Sequence, residues 1–256
     1  MKLINFASVV ILFVLAGCGT FSNNPSILPQ KKLVAIADVC NRNGFISARK
    51  TNSDAISAAG FLPVLIPYLS DTNAVAAIMD KADALVLSGA VKTSDYPIRN
   101  KFDSMLIDMA IERGIPVVGF CRGHQVINRY FGGKIAALPT NRSPMIAHRG
   151  KVSPYKKDCF HEVEIVAGTR LEKSFGARRA TVNTSHNCHI SKLGKDLVVT
   201  ARSNDGIIEA IEHKTLPITG FQFHPERSFA HYPQHLQAIR DAINHPAARN
   251  TLIPLF

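Results

Sequence analysis

The stretch Pro116-Val117-Val118-Gly119-Phe120-Cys121-Arg122-Gly123-His124-Gln125 decides how the rest of the chain is read. An apolar run of strand type enters it, and a helix-like run from Gln125 to Phe131 leaves it. Cys121 stands at the junction, with Gly119 two residues before and Gly123 two after. This is the G-x-nucleophile-x-G pattern of a strand-turn-helix elbow, with cysteine in place of serine. So sharp a turn crowds the backbone, and a side chain at either glycine would strike the neighbouring strand or helix. The elbow lifts the cysteine clear of the sheet and points it at the N-terminus of the next helix, where unpaired amides and the helix dipole favour thiolate over thiol. A buried core cysteine in a βα turn fits the same ten residues, because free cysteine commonly packs as a small hydrophobe. The partners elsewhere in the chain must decide between the two.

Upstream, short apolar runs alternate with helical ones. Leu33 to Ala37 reads as a buried strand, Ile46 to Ala59 as a helix stopped at Gly60, and Phe61 to Pro67 as a second strand. Ser70-Asp71 offers capping side chains to a helix running to about Lys81. Ala84 to Leu87 is a third strand ending in Ser88-Gly89-Ala90. Asn100 to Arg113 places Phe102, Leu106, Met109 and Ala110 at helical spacing, closed by Gly114. Continuous apolar strands alternating with helices imply a parallel sheet covered on both faces. In such sheets function collects at the carboxyl ends of the strands, where Ser88-Gly89-Ala90 and Cys121 both lie. The second half is richer in strands: Glu162 to Ala167, Ala180 to Asn183, Leu197 to Thr200, Ile207 to Glu212 and Ile218 to Phe223, before a last helix from Pro233 to Ile243.

Gly220-Phe221-Gln222-Phe223-His224-Pro225-Glu226 supplies the partners. In an extended segment His224 and Glu226 share a face, and Pro225 stiffens the link and rules out a regular helix there. A histidine that deprotonates a thiol, oriented by a carboxylate, is triad logic in cysteine form. With these residues the chain resembles the class I glutamine amidotransferase superfamily, and more narrowly its gamma-glutamyl-gamma-aminobutyrate hydrolase-like branch. Cys121-Arg122-Gly123-His124-Gln125 matches the branch's C-R-G-x-Q elbow, and Gly220 to Glu226 its G-x-Q-x-H-P-E end. Val182-Asn183-Thr184-Ser185-His186 resembles its V-N-S-x-H segment, and Asp205 to Ala210 its D-G-x-x-E-A segment.

The resemblance implies a flavodoxin-like α/β fold of three layers with a mainly parallel central sheet. It implies Cys121, His224 and Glu226 as the catalytic triad of a hydrolase that cleaves gamma-glutamyl amide or peptide bonds through a thioester. Backbone amides of Arg122 and of the loop at Gly89-Ala90 would hold the oxyanion, and Gln125 and His186 would contact substrate. Neither a metal nor an organic cofactor is expected. Two departures surround the expected pocket. The branch's Gly-Gly-then-Asp after the third strand is Gly89-Ala90-Val91 here, and Asn187-Cys188 follows His186 where a Gln is usual. Two alternatives remain open: a glutaminase subunit that feeds ammonia to a separate synthase, and a catalytically silent envelope binding lipoprotein of the same fold.

Composition fits one substantial domain. The 256 residues are 46% apolar, with a formal net charge of +11. The 30 Lys and Arg are scattered and Trp is absent, which argues against nucleic acid as a partner. Met1-Lys2 followed by the apolar run Leu3 to Ala16 has the size of a signal-peptide core. It ends in Leu15-Ala16-Gly17-Cys18, which resembles the lipobox of bacterial lipoproteins, where the cysteine is lipidated; a cleaved but unlipidated signal peptide is the rival reading. The expected division is residues 1–17 as signal peptide, 18–31 as tether and 32–256 as the hydrolase domain. The expected location is the cell envelope, anchored in the membrane and facing the periplasm or outside. The small gamma-glutamyl substrate is the expected partner, and no oligomeric state is implied. Export permits a disulfide, and Cys159 with Cys188 is the pairing expected, leaving Cys40.

Overall fold

The computed structural model describes residues 30–37, 39–40, 46–47, 49–89, 97–138, 148 and 159–246. The signal peptide, Cys18, nearly all of the tether and Ala90 lie outside these residues. The first half runs β1 (Leu33–Ala37), β2 (Val39–Cys40), β3 (Ile46–Ser47), α1 (Lys50–Ala58), β4 (Leu62–Ile66), α2 (Thr72–Met79), β5 (Ala84–Leu87), α3 (Pro97–Glu112), β6 (Val117–Phe120) and α4 (Arg122–Tyr130). The second half continues with β7 (Lys134–Ala137), β8 (Cys159–Ile165), α5 (Arg170–Phe175), β9 (Arg179–Thr184), β10 (Cys188–Lys192), β11 (Leu197–Ser203), β12 (Ile208–His213), β13 (Ile218–Phe221), α6 (Pro225–Ser228) and α7 (Pro233–Asn244). Among the described residues no helix is long and apolar enough to cross a membrane.

Nine strands form one sheet in the order β4-β1-β5-β6-β13-β12-β11-β8-β9. The five strands from β4 to β13 are mutually parallel, and β12, β11, β8 and β9 extend them antiparallel. The fold is therefore the expected α/β class, with helices α1 to α3 between successive strands of the parallel block and β11, β12 and β13 following one another directly in the sheet. Alternation along β1 shows how both faces are covered. Val34 and Ile36 join a core with Ile56 of α1 and Ile239 and Ile243 of α7. Ala35 and Ala37 join the opposite core with Val75 of α2, Leu106 of α3 and Ile127 of α4. Each large aliphatic side chain so buried stabilises the fold by about 1.5–3 kcal/mol.

The helices begin where local chemistry lets them. Asp71 caps α2, its side chain accepting from the amides of Asn73 and Ala74 at 2.9 and 3.2 Å. α1 starts later than its apolar residues suggest, at Lys50, because Ile46–Ser47 pairs with Val39–Cys40 as strand. Among the described residues β4 forms one edge of the sheet and pairs only with β1. There the Leu62 amide donates to Lys32 O at 2.9 Å, so the next residue, Pro63, faces the outside of the sheet. Cys159 and Cys188 are not joined by a disulfide. Cys159 pairs with Thr184 between β8 and β9, whereas Cys188 pairs with Ala137 in the separate β7–β10 ribbon, so the neighbouring strands expected for a bridge do not occur.

Candidate active site

β6 delivers Cys121 to the carboxyl end of the parallel block, and the backbone there bends as the two glycines require. Cys121 has φ 49° and ψ −93°, one of two non-glycine residues with positive φ among the described residues. Such a conformation costs about 1–3 kcal/mol and persists only where the surroundings impose it. Its amide donates to Phe221 O of β13 at 2.7 Å, which pins the elbow to the strand that leads to His224. A Cβ on Gly119 would lie 2.5 Å from the Gly123 carbonyl carbon, and one on Gly123 would lie 2.1 Å from Leu87 O. Only glycine fits either place. The thiol sits at the start of α4, is 5% exposed and accepts from Gln222 Nε2 at 3.6 Å.

His224 follows β13 and caps α6, while Pro225 occupies the first turn of that helix and Glu226 the next position. This corrects the extended reading of the segment: proline is compatible with a first helical turn, since the missing amide has no intrahelical acceptor there. The pair meets all the same, with His224 Nδ1 and Glu226 Oε1 2.7 Å apart and both side chains almost fully buried. Burial works against a charged imidazole, but the Glu226 carboxylate and the Cys121 sulfur outweigh it, and the pKa of His224 is raised to about 9. Burial likewise opposes ionised Glu226, yet His224 holds its pKa below the usual carboxylate value. His224 Nε2 is buried without a hydrogen bond. Gly89 lies against both: a Cβ there would be 3.0 Å from His224 Cε1 and 3.5 Å from Cys121 Cβ.

The other expected residues divide. The Arg122 guanidinium turns away from the thiol, bonding the Asp103 carboxylate and, at 2.6 Å, Asn100 Oδ1, so what Arg122 offers the site is its amide in the first turn of α4. Arg99 also bonds into this group, reaching Ser88 Oγ at 3.1 Å and Asp103 Oδ2 at 3.5 Å. Gln125 is buried, and its Nε2 donates to Cys188 O and to Gln222 Oε1, each at 3.0 Å. His186 Nδ1 lies 3.0 Å from the same Cys188 oxygen. Gln222 was not singled out from the sequence, yet it is the described side chain hydrogen-bonded to the thiol. Its signal was present, since Gln222 and His224 are two apart at the end of one strand. A cleft bordered by Arg170, Glu212 and Asp241 lies elsewhere and includes none of the triad residues.

A second polar cluster surrounds Glu209, which is 0% exposed. Its Oε1 lies 3.3 Å from His148 Nδ1, 3.6 Å from His161 Nε2 and 3.5 Å from His186 Nε2. His148 Nε2 sits 3.0 Å from Asp205 Oδ2. Burial disfavours charge on His148, but the two carboxylates prevail and raise its pKa; for His161 burial prevails and lowers it. One ligand atom from each of His148, His161 and Glu209 lies within 4.8 Å of the others, a spacing that could hold a metal ion. His148 and His161 were missed because they belong to no short motif and lie on segments far apart in sequence.

Known proteins resemble the chain over most of this fold. The family model described as Peptidase C26 matches residues 32–226. A glutamine amidotransferase-like protein of Rickettsia prowazekii is 28% identical over 233 residues, covering 70% of this chain and 82% of the relative. A gamma-glutamyl-CDP-amidate hydrolase of Campylobacter jejuni is 33% identical over 150 residues, covering 56% of this chain and 62% of that enzyme. Among solved structures, a protein described as one of the subunits of GMP synthase, from Thermoplasma acidophilum, superimposes with a TM-score of 0.64 at 21% identity, over 84% of this chain and 93% of the other. That likeness speaks for the class I glutamine amidotransferase fold alone.

Proposed function

The chain belongs to the Peptidase C26 family of glutamine amidotransferase-like amide hydrolases, and on that premise we propose that it cleaves gamma-glutamyl amide bonds through a thioester on Cys121. The observation that carries the proposal is the convergence, at the ends of β6 and β13, of a strained elbow cysteine, a histidine whose raised pKa owes part of its rise to that sulfur, and a carboxylate 2.7 Å from the histidine's Nδ1. With His224 raised to about 9, the imidazole accepts the thiol proton near neutral pH and holds it. The thiolate attacks the gamma carbonyl carbon, and the oxyanion is held by the amides of Arg122 and of the Gly89-Ala90 loop. Each such donor typically stabilises the transition state by about 3 kcal/mol. The tetrahedral adduct expels the amine, which takes the proton from His224 Nε2. His224 then removes a proton from water, the hydroxide attacks the thioester, and collapse frees the gamma-carboxylate and returns the thiol. Glu226 orients the ring and stabilises the imidazolium without itself changing charge.

The relative from Campylobacter jejuni, named for a gamma-glutamyl amidate, supports the gamma-glutamyl side of the bond. Gln125 donates to Gln222, which donates to the thiol, so the pair positions the nucleophile, and Gln125 stays in the proposal as a contact for the glutamyl group. The test is a panel of gamma-glutamyl amides and peptides presented to residues 19–256, with Cys121→Ala as control. Release of glutamate by the wild type and not by the variant is expected. Equal rates for the two would end the mechanism, and ammonia release from glutamine only on adding a synthase would replace hydrolysis with amidotransfer. Lipid attachment at Cys18, and through it residence in the envelope, belongs to the same proposal on the strength of Leu15-Ala16-Gly17-Cys18. Cells fed labelled palmitate should mark the wild type and not Cys18→Ala; an unmarked wild type removes the anchor.

A further inference from the structure

We propose that His148, His161 and Glu209 form a binding site for one divalent transition-metal ion, zinc(II) foremost, behind the triad and independent of it. The distances are the first argument. A tetrahedral ion bonded at about 2.0–2.1 Å holds its ligand atoms about 3.4 Å apart. Glu209 Oε1 lies 3.3 Å from His148 Nδ1 and 3.6 Å from His161 Nε2. Nitrogen–oxygen hydrogen bonds run shorter, about 2.7–3.2 Å, and none of these three atoms forms one.

The second argument is charge. Among the described residues three imidazoles face the fully buried Glu209 carboxylate, at 3.3, 3.5 and 3.6 Å, and those rings compensate its charge only when protonated. His161 is 8% exposed, and both of its ring nitrogens are buried without a partner. A cation between them meets both needs, while the imidazoles stay neutral and ligate through their lone pairs. The third argument lies one bond further out. His148 turns its other nitrogen to Asp205 Oδ2 at 3.0 Å, and Ser203 Oγ donates to Asp205 Oδ1 at 2.5 Å. A carboxylate on the far nitrogen is the usual means of fixing the tautomer and orientation of a metal-binding histidine.

Two imidazoles and one carboxylate suit zinc and its neighbours, whereas calcium and magnesium prefer oxygen throughout. His161 belongs to β8 and Glu209 to β12, which β11 separates in the sheet. An ion here therefore ties together strands that do not pair. His186, 3.5 Å from Glu209 Oε1, borders the site without being counted in it, and the Glu209 carbonyl accepts from the Gln222 amide at 2.8 Å, so the ion also steadies the end of β13 that leads to His224.

The experiment is metal analysis of the purified full-length chain, followed by cobalt(II) titration of the chelator-stripped protein, read by the visible absorption of four-coordinate cobalt. One ion per chain is expected, together with a higher melting temperature on adding zinc. His161→Ala should lower cobalt affinity by at least about 100-fold, and Asp205→Asn by about tenfold. Cys121→Ser should bind as the wild type does, which separates this site from the catalytic thiol. Should His161→Ala fail to fold, His161→Gln keeps the bulk and removes the ligand. Undiminished cobalt affinity in either His161 variant overturns the site. Stripped wild-type protein that takes up neither zinc nor cobalt also overturns it, and leaves the cluster as a histidinium clamp on Glu209.

Discussion

The parallel and antiparallel halves of the sheet treat buried titratable groups differently. In the parallel block they stand just past the strand ends: Cys121 after β6, His224 and Glu226 after β13. In the antiparallel half they lie within the strands, with His161 in β8 and Glu209, Glu212 and His213 in β12. Parallel strands are covered on both faces, so a polar side chain has room only where the strand stops and crossovers leave a crevice. The antiparallel strands take titratable groups at mid-strand where groups of opposite charge character face them: Glu209 lies 3.3 Å from His148 and 3.6 Å from His161, and Glu212 accepts from the amide of Leu171 at 3.0 Å and lies 3.2 Å from Arg170. The first half thus frees its polar groups for chemistry, and the second commits them to cohesion.

Substitutions should respect that division. Cys121→Ala is expected to lower turnover by about 10⁴-fold or more while the thermal melt stays intact, and His224→Ala by nearly as much, because triad members fail as a unit. Glu226→Gln should cost about 10²- to 10⁴-fold, since the carboxylate sets the imidazole's tautomer without touching substrate. Glu209→Gln in the antiparallel half should do the reverse, lowering stability by about 1–3 kcal/mol with less than a tenfold change in rate. A thousandfold rate loss in that variant would break the comparison. Gly123→Ala, whose Cβ would lie 2.1 Å from Leu87 O, should destabilise the chain by about 3 kcal/mol, as overpacking does, and impair turnover by moving the elbow. The smallest effect is expected from Asp71→Ala, a loss of about 1 kcal/mol from the α2 cap with unchanged kinetics.

Stability against pH sharpens the contrast. His224 titrates near 9 when folded against an ordinary 6.5, so its contribution is complete below about 6.5 and is lost as pH rises through 9. Glu226 is lowered from 4.5, so its contribution is present above that value and is lost as pH falls below it. Melting temperature measured from pH 6.5 to 9 should therefore decline in the wild type and decline less in His224→Ala. Equal slopes would show that the pair does not stabilise the fold.

The parallel half was legible because every signal there is local. Ala84 to Leu87 matches β5 at both ends, the glycine pair around Cys121 announces the turn, and His224-Pro225-Glu226 lies within one short motif. The helix at Pro225 was misread because proline bars helix interiors and admits first turns, and a short motif cannot tell the two apart. The Gln222 contact with the thiol depends on which way a strand end faces, which the sequence leaves undecided. The Glu209 cluster was invisible for another reason: its members come from β8, β12 and two connecting segments, and only the sheet order brings them together. The β7–β10 ribbon, which carried Cys188 away from Cys159, is likewise a matter of long-range pairing.

Pro63, on the outer side of β4, has a consequence for how copies of the chain behave toward each other. Leu62 and Leu65 on that strand are 49% and 41% exposed, an apolar rim that would otherwise invite a neighbour's strand to dock alongside. With no N–H to offer, Pro63 removes one rung from any such intermolecular ladder. The outer side of β4 therefore offers a neighbouring copy one rung fewer on which to extend the sheet.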